Sequence, residues 1–232
     1  MSSQRLPGKV LADIAGRTML ERVVAAARAS GVCDQIIVAT SDDQSDDPIV
    51  AAARTIAVSV HRGQLDDVLG RFLGALKDFP DNTIVVRLTA DCPLLDPSVI
   101  RMAVRAFEEA HVDYLSTIRS RSLPRGLDVE VIALASLRDA DNKATGYQRS
   151  HVTPAIYENP GEFQIAGISF EPSSDDLRVT VDTPNDLEAV RQIILGMGDR
   201  ANDRLALVSF LRSHPEVAAI NSGVIHKDLK DG

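Results

Sequence analysis

Four residues stand where phosphate and metal chemistry would need them. Arg5 and Lys9 flank Leu6-Pro7-Gly8 near the start of the chain, and Asp91 and Asp182 each end an apolar, β-rich run. Proline fixes one φ angle and glycine lets backbone approach a ligand closely, so two cations around such a turn suit an anion. An ordinary solvated Pro-Gly turn is the plain alternative, and the Walker spacing of glycines and lysine is missing. A carboxylate just past the end of a strand is placed for a divalent cation, because open α/β sheets bind ligands beyond the carboxyl ends of their strands. The competing role for Asp91 is a turn ahead of Pro93, and for Asp182 it is helix capping. Two such aspartates on neighbouring strands would suit Mg²⁺, which takes one or two carboxylates plus water and phosphate oxygens.

Further candidates are weaker on spacing alone. In "GLDVEV" the period-two alternation puts Asp128 and Glu130 on one face of a strand and Val129 and Val131 on the other. Paired carboxylates there can bind or help deprotonate sugar hydroxyls, or simply face water on an edge strand. His151 in "RSHVTP" is a polar-site residue or a structural histidine. Asp67 and Arg71, four apart, read as a surface ion pair.

The elements that must position these residues alternate. Helical spacing covers Met19 to Ala29, with Gly31 placed to stop it, and "DQIIVAT" reads as a buried strand ending at Thr40. The helix "SDDPIVAAARTI", the strand "AVSVHRG", the helix "DDVLGRFLGALKDF", the apolar strand "NTIVVRLTA", a helix capped by Asp96 with Pro97 first, and the strand "VDYLSTI" follow. Such β-α alternation predicts a mostly parallel, doubly wound α/β sheet. After Ile118 the pattern changes: a polar loop, the alternating strand "LDVEVIAL", helices around "SLRDADNK" and "RSHVTPAIYEN", the strands "EFQIAGISF" and "LRVTVD", then helices starting at Thr183 and in "DRLALVSFLRSH". A single domain over 1–232 is expected, with a small β-containing insertion at about 119–175 that would contact substrate or form a homodimer arm.

Bulk composition agrees. The 232 residues are 44% hydrophobic and only 4% aromatic, so Val, Ile, Leu and Ala must fill the core. The formal net charge of −8 repels phosphate backbones, which argues against nucleic-acid binding. Cys33 and Cys92 are too few for a disulfide framework or a zinc site and read as reduced packing residues in cytoplasm. No apolar stretch reaches the roughly 18 residues of a membrane span, and a signal peptide is not seen.

The motifs occur in one order: S-x-R-L-P-G-K, V-A-T-x-D, D-D-V-L-x-R, T-A-D-C-P-L, G-L-D-V-E-V, H-V-T-P and V-D-T-P-x-D-L. From Ser2 to about Arg191 the series resembles the sugar-acid cytidylyltransferases, in particular the spore-coat polysaccharide biosynthesis protein F group, related to CMP-Kdo and CMP-sialic acid synthetases. The resemblance implies a Rossmann-like nucleotidyltransferase fold. It also implies a Mg²⁺-dependent reaction in which a sugar-acid hydroxyl attacks the α-phosphate of CTP and pyrophosphate leaves. Arg5 and Lys9 then match triphosphate-holding, catalytic positions, and Asp91, also catalytic, and Asp182 match metal ligands. Thr40 and Arg87 fall where the base pocket is expected, and Asp128, Glu130 and His151 on the sugar side. A related nucleotide-sugar glycosyltransferase and a non-catalytic nucleotide-binding relic are the alternatives. The resemblance also leads one to expect an apolar first strand ahead of the Arg5 loop. Without it, neighbouring strands should keep unpaired backbone and an open core, and the chain as written should be poorly folded or weakly active.

Overall fold

After Gly8, whose φ is 71°, the chain makes one 3-10 turn over Lys9–Leu11. In the computed structural model, which describes residues 5–225, strands β1 (Asp13–Ile14) and β2 (Arg17–Thr18) then pair antiparallel about Ala15 and Gly16, both at positive φ. Two left-handed residues in succession make a tight turn whose twist suits the strands it joins. Sequence reasoning does not foresee this hairpin. Helix α1 (Met19–Ser30) starts from Thr18, whose hydroxyl accepts from the Glu21 amide while the Glu21 carboxylate accepts from the Thr18 amide; Gly31 ends it in the left-handed conformation. There follow β3 (Ile37–Ser41), α2 (Asp47–Thr55), β4 (Ser59–Gly63), α3 (Val68–Ala75), β5 (Ile84–Arg87) and α4 (Pro97–Ala110), the last capped by Asp96 as expected. Then come β6 (Tyr114–Ser116), β7 (Glu130–Ala133), α5 (Leu134–Asp141), α6 (Tyr147–His151), α7 (Pro154–Tyr157) and β8 (Ile165–Gly167). Helices α8 (Pro184–Met197), α9 (Arg204–Ser213) and α10 (Pro215–Ala219) complete the order.

The described strands form two larger sheets. β3 and β4 are parallel, with Ile37 opposite Ser59 and Ser41 opposite Gly63. The other sheet has the order β5-β7-β6-β8, with β7 antiparallel to both neighbours and β8 parallel to β6. No ladder joins β3 to β5 among the described residues. Ile37–Ala39 of β3 and Val86 and Arg87 of β5 are only half-buried, which is unusual for strands at the middle of an α/β molecule. The single continuous sheet of the sequence reading is therefore divided at this seam.

Two cores sandwich the four-stranded sheet. Leu115, Val129 and Val131 pack with α1, α4 and α8, while Val85, Tyr114 and Ile132 pack on the opposite side with α3, α5 and α7. The alternation of "LDVEVIAL" thus separates one core from another. β7 lies between β5 and β6, Glu130 is 3% exposed, and the solvated-edge alternative for this strand is excluded.

Two expected elements take a different form. "RSHVTPAIYEN" is broken into α6 and α7 at Val152, which sits at φ 74° ahead of Pro154. "LRVTVD" is extended, and among the described residues it makes one bridge, between Arg178 and Arg125. Its hydrogen bonds go to two different partners, Val179 and Thr180 amides to the Arg125 carbonyl and the Val181 amide to the Asp91 carbonyl, so no ladder propagates.

Candidate active site

The left-handed turn at Gly8 brings Lys9 back over the ends of two distant segments. Its ammonium donates to Asp91 Oδ2 at 3.1 Å, to Asp182 Oδ1 at 2.9 Å and to the Val181 carbonyl at 2.9 Å. Arg5 reaches Asp182 Oδ2 at 3.3 Å. The bond from the Val181 amide to the Asp91 carbonyl, at 2.8 Å, ties the two carboxylate-bearing segments together. Four residues picked out from sequence, Arg5, Lys9, Asp91 and Asp182, therefore meet in one cluster.

The charges in it are mutually stabilised. Burial works against the Lys9 ammonium, but Asp91 and Asp182 outweigh it and raise its pKa. Burial likewise opposes the Asp182 carboxylate, and hydrogen bonds from Lys9 and Arg178 with the charge of Arg5 hold it below the usual range. Burial pushes the neighbouring Cys92 thiol well up, with Asp91 and Asp128 adding to the effect. Cys92 is thus a packing residue.

A carboxylate in the first turn of α8 proves to be the anchor of the site. Asp186 is fully buried and accepts from Arg178 Nε at 2.7 Å, from the Asp182 and Thr183 amides at 3.0 and 2.9 Å, and from Asn221 Nδ2 at 2.9 Å. Arg178 in turn donates to Asp182 Oδ2 at 2.9 Å. The available signal was a cation inside an apolar run, with acids four and eight residues later.

The remaining candidates lie in other clusters. Glu130 accepts from Tyr114 Oη at 2.6 Å and Thr153 Oγ1 at 2.7 Å and forms an ion pair with Arg87. Burial would lower the Arg87 pKa, but Glu130 reverses that and keeps the guanidinium charged; Arg87 Nε is buried without a hydrogen-bond partner. Arg87 and Glu130, expected on the base and sugar sides respectively, are thus partners. Thr40 is buried and donates to Asp46 at 2.8 Å, so its hydroxyl is engaged at the entry to α2. Asp128 pairs with Arg121 at 2.8 Å. His151 closes α6 and is half-buried. The expected Asp67–Arg71 pair gives way to another: Asp67 takes both Nε and an Nη of Arg149 at 2.9 Å and caps α3 through the Gly70 amide.

A basic loop over two carboxylates, at the ends of extended segments of an α/β fold, is the arrangement the ordered motifs imply. The sequence model of the family described as cytidylyltransferase matches residues 1–209. The chain belongs to the cytidylyltransferase family. It is similar to the spore coat polysaccharide biosynthesis protein SpsF of Bacillus subtilis, with 27% identity over 94% of this chain and 93% of that protein. It is 35% identical to a 3-deoxy-manno-octulosonate cytidylyltransferase of Chelativorans over 77% of this chain and 59% of the relative. A solved cytidylyltransferase from Leptospira borgpetersenii superposes with a TM-score of 0.89 at 28% identity, over 97% of this chain and 95% of that one. This cytidylyltransferase is a CTP-using nucleotidyltransferase with a Rossmann-like α/β fold. Membership in this family sets the glycosyltransferase alternative aside.

The donor set fits a divalent metal. Asp91 and Asp182 already share one cation, the Lys9 ammonium, and a metal that keeps water and phosphate oxygens needs only one or two carboxylates. No group of three or more metal-binding side chains occurs among the described residues, so a closed, all-protein metal cage is not built there.

Proposed function

We propose that the chain transfers CMP from CTP to a sugar acid in a Mg²⁺-dependent reaction that releases pyrophosphate, and that the product feeds a surface polysaccharide. The observation that carries this reading is the seat of Lys9 between Asp91 and Asp182. Asp91 and Asp182 would hold Mg²⁺, which when bound supplies charge neutralisation on the triphosphate. Arg5 and Lys9 bind the phosphates, and Lys9 is fully charged at neutral pH. A sugar hydroxyl oxygen forms the new bond to the α-phosphorus as the bond to the bridging oxygen of pyrophosphate breaks. Phosphoryl-group transfer of this kind depends chiefly on positioning and on neutralising charge.

On the sugar side Asp128 has the accessible carboxylate, at 21% side-chain exposure against 4% for Glu130. Asp128 is therefore assigned to the sugar hydroxyls and Glu130 to holding Arg87, Tyr114 and Thr153 beneath them. His151 belongs to the same side. Thr40 and Arg87 are assigned to the walls of the base pocket. The likeness to SpsF supports a polysaccharide role, and the likeness to a 3-deoxy-manno-octulosonate enzyme supports a sugar acid. Described helices include none long and apolar enough to cross a membrane, in keeping with the cytoplasmic setting this reading assumes.

Thermal shift with CTP, UTP, GTP and ATP, followed by pyrophosphate release with a panel of sugar acids, tests the proposal. Selective stabilisation by CTP and sugar-acid-dependent release of pyrophosphate are expected. Equal response to all four nucleotides, or release that ignores the acid, would overturn it.

A further inference from the structure

Three cations converge on Asp182, and they are not equivalent. Lys9 and Arg5 come from the opening loop, and Arg5 is 32% exposed with a contact of 3.3 Å. Arg178 is 11% exposed and cannot swing, because Nε and an Nη are both tied to Asp186, at 2.7 and 3.1 Å. Asp186 is itself fixed by the start of α8 and by Asn221. The two oxygens of Asp182 are divided accordingly: Oδ2 faces Arg178 at 2.9 Å and Oδ1 faces Lys9 at 2.9 Å.

We infer that Arg178 is a positioning residue for cytidylyl transfer: braced on Asp186, it anchors one oxygen of Asp182 so that the other is presented to the cation position between Asp182 and Asp91. The inference rests on the metal reading of those two aspartates. A guanidinium beside a metal ligand would by itself repel the metal. Here the buried Asp186 carboxylate balances it, so Asp182 keeps its full negative charge for the ion. The planar fork of arginine holds two carboxylates at once, which a lysine ammonium on a flexible stem cannot do with the same orientation. Partners behind a metal ligand typically change metal affinity by about 10- to 100-fold when removed.

The test is Mn²⁺ binding to the full chain in the presence of CTP, followed by water-proton relaxation, alongside the Mn²⁺ dependence of pyrophosphate release. Arg178→Met and Arg178→Lys should each raise the Mn²⁺ concentration for half-saturation by ~10-fold or more, while binding of CTP in EDTA is unchanged. Added guanidinium should restore Arg178→Met toward the wild type and leave Arg178→Lys as it is. Asp186→Asn, which leaves the guanidinium unbalanced, should weaken Mn²⁺ binding in the same direction. If Arg178→Met lowers only the melting temperature and binds Mn²⁺ as the wild type does, Arg178 is merely structural and the inference falls. If the wild type with CTP binds no Mn²⁺, while CTP turnover persists in EDTA, the metal reading itself is what has failed.

Discussion

Replacing Lys9 by Met should leave the Asp91 and Asp182 carboxylates facing each other without the ammonium between them. The ammonium lies 3.1 Å from Asp91 Oδ2 and 2.9 Å from Asp182 Oδ1, so those oxygens are at most about 6 Å apart, and at an effective dielectric of about 20 their repulsion is about 3 kcal/mol. The Val181 carbonyl loses its donor as well. Breaking a buried ion pair by removing one partner costs about 3–5 kcal/mol. With side chains 14–28% exposed here, the lower end applies. For a chain of this size about 3 kcal/mol corresponds to a fall in melting temperature of roughly 6–12 °C. The assay is a thermal melt at pH 7.5, in EDTA and in millimolar Mg²⁺. Lys9→Met should lose most of that margin in EDTA and regain part of it with Mg²⁺, whereas the wild type, whose carboxylates already hold an ammonium, should respond much less. A variant that melts within about 2 °C of the wild type in EDTA, or equal stabilisation of both proteins by Mg²⁺, would refute the reasoning.

Other expectations follow from the same contacts. The pKa values of Asp182 and Asp186 are lowered in the fold, so their contribution to stability is complete above about pH 4 and is lost as pH falls through the folded values; that of Lys9 is raised, so its contribution is complete below about pH 10.4 and is lost as pH rises above it. Urea midpoints from pH 3 to 11 should show a plateau between these limits, and Asp186→Asn should flatten its acid limb. Gly126→Ala puts a methyl 2.4 Å from the Thr180 nitrogen at a position of φ 109°, which forces apart the 125 and 178–180 segments; a loss of about 3 kcal/mol or more in urea unfolding is expected. Tyr114→Phe leaves Glu130 Oε1 with Thr153 as its remaining donor, and should cost about 1.5–3 kcal/mol by the same measurement.

What the sequence makes legible is set by how local the signal is. Helix starts at Asp96 and Thr183 are readable because the cap and the proline that follows it are adjacent in sequence. Asp91 and Asp182 are readable because an acid at the end of an apolar run is a local pattern with a general consequence for ligand binding. Their meeting around Lys9 is a tertiary fact that only the ordered motifs anticipate. The Arg178–Asp186–Asn221 brace joins residues up to 43 apart by side-chain geometry, and no pattern within a single element announces it. The buried state of Glu130 is hidden for a different reason: alternation shows that a strand has two faces, and cannot say whether the second meets water or another core. Strand order is equally silent in the pattern, and β7 takes the place between β5 and β6 although both precede it in the chain.

Pyrophosphate release from CTP, measured on the full chain with Mg²⁺ and a panel of sugar acids, tests the central claim most directly when wild type, Asp91→Asn and Asp182→Asn are run together. Release by the wild type that requires both Mg²⁺ and an acid, and that either substitution removes from a protein still folded by circular dichroism, is the predicted result. Undiminished release from both variants would contradict the account.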